Sequence, residues 1–130
     1  MTLAFWCVLV AAYLPIVWTG TAKFSGGDFA GEANRAPRDY LEQLSGWRKR
    51  AHWAQLNGFE AFPPFAAAVI IAQLQHAPQS WIDGLAAAFI VLRVLHGIFY
   101  ITDRASLRSL VWFGAVGCVI ALFISAAFHG

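Results

Sequence analysis

The chain has 130 residues, of which 59% are hydrophobic and only 12% charged, with a formal net charge of +2. A soluble domain carries about 25% charged residues, so this chain lacks the polar surface that water demands, and a bilayer must cover it instead. A net charge this small gives no footing for a nucleic-acid partner.

The sequence predicts an all-α integral membrane protein, a four-helix bundle forming one domain over residues 1–130. The first span, about 2–22, contains no charge and is long enough for about 30 Å of hydrocarbon. No Lys or Arg precedes it and it is too long for a signal peptide, so it reads as a retained helix with a kink at Pro15. The connection 23–46 is the one long loop, and Pro37 can start a short surface helix in it.

The second span, about 47–77, opens on Trp47, Arg48, Lys49, Arg50 and His52 and becomes apolar from Ala61. From Arg48 to His76 such a helix measures about 42 Å, so its basic end should protrude. Pro63 and Pro64 fall inside it, which a membrane bundle tolerates better than a soluble helix does. Pro78 is expected to end it. The third span, about 81–101, is interrupted by Arg93 and His96, and the fourth, about 108–128, is apolar. Cys7 and Cys118 lie in apolar runs and read as packing residues; no Cys/His cluster has metal-ligand spacing.

Eight of the nine basic residues fall in or beside the 23–46 connection and the short third connection. The ninth is Arg93. The positive-inside rule therefore predicts both connections in the cytoplasm and both termini on the non-cytoplasmic side.

Ionisable groups inside a bilayer cost about 2.5–3.5 kcal/mol on insertion scales, so each invites a functional reading. Glu60 and Arg93 are opposite charges at comparable depth, and the plain alternative is a structural bridge between two helices. Arg50, Trp53, Asn57 and Glu60, spaced 3, 4 and 3 apart, share one helical face; Arg93, His96 and Tyr100 share another. Two such stripes on neighbouring helices outline a polar pocket open to the basic side. His96 alone would read as a packed histidine; its stripe makes it a candidate.

The run Arg50–Phe65, R-A-H-W-A-Q-L-N-G-F-E-A-F-P-P-F, resembles the second-helix signature of the membrane-associated proteins in eicosanoid and glutathione metabolism, MAPEG. The run Arg93–Arg108, R-V-L-H-G-I-F-Y-I-T-D-R-A-S-L-R, resembles that family's third helix and following loop. The resemblance implies a homotrimer that binds glutathione between subunits near the cytoplasmic face. By motif, Asn57, Glu60, Arg93 and Tyr100 would hold the glutathione backbone, and Arg108 or Arg104 would face its sulfur. Two positions depart from the pattern. Trp53 stands where an Arg is common, with Arg50 one turn away as a substitute, and His96 stands where some members have Tyr.

Three functional classes follow. The first is a glutathione-dependent transferase or peroxidase acting on hydrophobic electrophiles or lipid peroxides. The second is a non-catalytic relative that binds a lipid, a small thiol or a partner protein, to which Trp53 points. The third is a small transporter or channel subunit, which the apolar outer halves of the spans disfavour.

Overall fold

A computed structural model describes residues 1–130. The elements in chain order are α1 (Leu3–Phe24), α2 (Glu32–Arg35), α3 (Pro37–Glu42), α4 (Gly46–Leu74), α5 (Gln79–Ile101) and α6 (Ala105–His129). The four long helices form one bundle. Helix α1 lies against α4 and α5, while α6 lies against α5 and α4.

Three helices, α1, α5 and α6, are each long and apolar enough to cross a membrane. The chain is an integral membrane protein. Helix α4 has length to spare at 29 residues, but its basic first turns and Gln, Asn and Glu residues dilute its hydropathy.

Small residues allow the helices to approach closely, as membrane interfaces favour. Ala4, Ala11, Ala68, Ala72, Ala86, Ala115 and Ala126 are all buried in the main core, around Phe65 stacked on Phe89 at 3.9 Å. Two glycines set the approach of α1. A β-carbon on Gly58 would come 2.8 Å from Pro15 Cγ, and one on Gly97 would overlap the Trp18 ring. Pro15, Pro63 and Pro64 all lie within continuous helix.

The helix ends explain the differences from the predicted boundaries. Helix α4 stops at Leu74, three residues before the expected end, because His76 adopts φ 58° and turns the chain. There the His76 N–H donates to Gln73 O at 3.1 Å and the Ala77 N–H to Ala72 O at 3.0 Å, a Schellman closure without glycine. Asp103, at φ 59°, closes α5 in the same way, its N–H on Tyr100 O and the Arg104 N–H on Phe99 O. This tight turn lets α6 begin at Ala105, ahead of the expected 108.

The two ends of the bundle differ in chemistry. At the end opposite the basic residues, Asp83 accepts the Ala4 N–H at 3.0 Å and Gln79 Nε2 at 2.8 Å, so its carboxylate caps the start of α1. At the basic end the 25–45 connection folds back, with α3 beginning at Pro37 as expected. Arg48 fastens it: Nε donates to Ala22 O at 3.0 Å and Nη2 to Lys23 O at 3.3 Å, to Tyr40 Oη at 2.6 Å and to Asp28 Oδ1 at 3.3 Å.

Candidate functional site

Asn57 is the twelfth residue of α4, so it sits below the basic first turns and faces α5. Arg93 meets it there. The Arg93 side chain is 5% exposed, and its Nη2 donates to Asn57 Oδ1 at 2.7 Å. A charged donor makes this one of the stronger hydrogen bonds available, worth about 1.5–3 kcal/mol.

The Glu60–Arg93 bridge, the plain alternative to a functional reading, does not form. The ion pairs of the chain are Arg35–Glu32 and Arg48–Asp28. Glu60 sits at the midpoint of α4 and is exposed, lining with Asn57 and Arg93 a hollow of about 240 Å³ without touching Arg93 as an ion pair. The neutral amide of Asn57, not the Glu60 carboxylate, accepts the hydrogen bond from Arg93.

One turn toward the basic end, Asn57, His96, Tyr100, Arg108 and Ser109 line a cavity of about 330 Å³ with Trp112 and Phe113. The Arg108 guanidinium lies over the Tyr100 ring, 4.6 Å from its centroid. His96 packs edge-on against the same ring at 5.7 Å and is 2% exposed. No enclosed side-chain nitrogen in the chain lacks a partner, and His96 has no protein hydrogen bond, so its ring nitrogens reach cavity space.

The same geometry places the remaining candidates. Glu60 shares a shallow hollow with Trp53, Leu56, Asn57 and Tyr100 on the outward side of α4. Arg50 is committed elsewhere, its Nε donating to Ile101 O at 3.1 Å and so capping the last turn of α5. Arg104 is exposed at the start of α6 and lines none of these hollows. Sequence reasoning missed Trp112, which lines the cavity one turn beyond Arg108. Its spacing of four from Arg108 was the available signal. It also passed over Asp83, whose position four residues into α5 marks it as a carboxylate near a helix start.

Chemically, the cavity offers donors and a permanent positive charge at the basic rim, with aromatic walls. That set suits an anionic polar molecule carrying a group to be stabilised as an anion beside Arg108. The MAPEG family model matches residues 3–128, nearly the whole chain. The chain belongs to the MAPEG family. Searches of curated proteins and of solved structures gave no match. Membership ties this membrane protein to the family's glutathione-related and eicosanoid metabolism.

Proposed function

We propose that this MAPEG member is a membrane-bound glutathione-dependent transferase or peroxidase acting on hydrophobic electrophiles or lipid peroxides. One observation carries the reading: Asn57, His96, Tyr100 and Arg108 converge on one cavity, and Arg93 is fixed to Asn57 beside it. These residues come from three helices, and nothing in packing alone requires polar groups there.

Glutathione would supply a thiol, which attacks as its anion and in water ionises with a pKa of about 8.5. Arg108 favours the anion by charge, and its stacking on Tyr100 holds the guanidinium at the rim. Arg93 and Asn57, with Tyr100, orient the peptide, and carboxylates of the tripeptide suit the guanidinium groups. Glu60, facing outward at the middle of α4, supports a homotrimer in which a neighbouring copy covers it, since an exposed carboxylate at that depth is costly. The same reading makes α4 the fourth span of one membrane domain, puts the basic end of the bundle in the cytoplasm and places both termini outside.

The test is a pH titration of thiolate absorbance with glutathione present. The protein should lower the apparent thiol pKa below about 8.5, Arg108→Leu should restore the free value, and Arg104→Leu should change nothing. Thiol absorbance that titrates like free glutathione in the unmutated protein contradicts thiol activation. Binding without turnover is the second reading. It is favoured by Arg50 being engaged with Ile101 O, so that Arg50 does not stand in for the arginine common at the Trp53 position.

A further inference from the structure

Pro15 lies within continuous helix and has no N–H, so the Ala11 carbonyl one turn before it lacks its usual intrahelical donor. Ala11 is 6% exposed, and a carbonyl freed at membrane depth must find another partner. Helical carbonyls point along the axis toward the residue one turn ahead, which here is Pro15 itself. Beside these two residues lies a cavity of about 10 Å³, walled also by Trp18, Gly58, Phe89 and Arg93. It has room for a single water and for nothing larger.

Arg93 supplies the matching chemistry. It commits one donor to Asn57 and makes no other protein hydrogen bond. Every enclosed side-chain nitrogen of the chain has a partner, so the remaining N–H groups of Arg93 reach cavity space. One such space is the hollow that Arg93 shares with Asn57 and Glu60; the other is this cavity, on the α1 side. A guanidinium only donates and a backbone carbonyl only accepts. A water between them accepts from the first and donates to the second. Trp18, whose indole N–H has no protein acceptor, lines the same cavity and offers a further partner. A buried water needs about two to four such partners.

We infer that this cavity binds one ordered water, which accepts from Arg93, donates to the Ala11 carbonyl and so ties the guanidinium to the kink of α1. Arg93 is then held from two helices, by Asn57 of α4 directly and by α1 through the water. Helix α1 adds no side chain to the cavity of Arg108, yet its kink fixes the angle at which Arg93 presents its other donors. Pro15 is thus a positioning residue. That consequence for thiol binding rests on the thiol-site reading; the water site itself does not.

The experiment crystallises the whole protein from lipid at a resolution that shows ordered water, and follows the Arg93 guanidinium by nitrogen NMR in lipid nanodiscs. A solvent peak is expected within about 3.2 Å of both an Arg93 nitrogen and Ala11 O. No peak there, or a protein donor on Ala11 O, overturns the site. Pro15→Ala gives the Ala11 carbonyl an N–H of its own and favours the helix. It should abolish the peak between Arg93 and Ala11 O and speed guanidinium rotation at least about tenfold. Pro63→Ala, at a proline outside this cavity, should leave the rotation unchanged. Unchanged rotation in Pro15→Ala, or equal speeding in both variants, overturns the positioning role. Glutathione is titrated calorimetrically on the same samples. No binding to wild-type protein, with the peak and the Pro15→Ala response intact, removes the thiol reading and leaves the water site standing.

Discussion

Asn57 and Arg93 carry the energetics of the buried polar layer, because each is the other's partner on a helix that has no alternative for it. Asn57→Ala therefore leaves a buried guanidinium without its acceptor. Thermal unfolding in detergent should show a loss of about 1–3 kcal/mol. Glu60→Gln should barely move the same transition, since Glu60 forms no ion pair; equal destabilisation by both changes would restore the discarded bridge. The residue scale is also where the sequence was least legible. Helical spacing put Asn57, Glu60, Arg93, His96 and Tyr100 on two stripes, but spacing of 3 and 4 does not say which member of a stripe turns inward. The amide bonds Arg93, while the carboxylate stays exposed and unpaired. Arg50 belonged to the stripe by number, yet its long side chain reaches the end of α5, a contact that no periodicity encodes.

At the scale of elements, the approach of α1 to the bundle depends on two missing side chains. Gly97→Ala drives a methyl into the Trp18 ring, and overpacking of this kind costs about 1–3 kcal/mol. Gly84→Ala, with open space around it, serves as the control and should be neutral in the same unfolding assay. The 25–45 connection is held by polar contacts as well as by the packing of Leu41 on Ala22 and Ala51, and its polar part should respond to acid. The Tyr40 hydroxyl, first among the causes, donates to Asp28 and holds its carboxyl below the usual carboxylate value, with Arg48 adding to the effect. A carboxyl whose folded pKa is depressed contributes fully above its ordinary value, about 3.9, and loses that contribution as pH falls through the folded value. Amide exchange over residues 25–45, corrected for intrinsic rates, should thus stay slow from neutral pH down to about 4 and accelerate below it. Asp28→Asn should exchange faster across the neutral range; an unchanged rate would mean that Arg48 holds the loop by the backbone carbonyls alone. The helices themselves were easy to read from hydropathy and charge, and Pro37 announced α3. Their ends were harder, because His76 and Asp103 take the left-handed conformation that glycine usually signals.

For the whole molecule, composition alone demanded a membrane, and the distribution of basic residues gave the bundle a basic end and an end without Lys or Arg. Polar groups from α4, α5 and α6 gather near the basic end, and an apolar hollow adjoins them. On the proposed function, a water-soluble thiol and a lipid-soluble partner would meet there, each reaching the site from its own phase. The two stripes pointed to a polar pocket, but its shape was not legible, since it depends on Trp112 and on the crossing of three helices. The most direct measurement is a calorimetric titration of the detergent-purified protein with glutathione, run beside Tyr100→Ala, which strips the aromatic support from Arg108 and His96. The account predicts saturable binding to the unmutated protein and affinity at least about tenfold weaker in the variant. No saturable heat with the unmutated protein, or the same affinity in both, would contradict it.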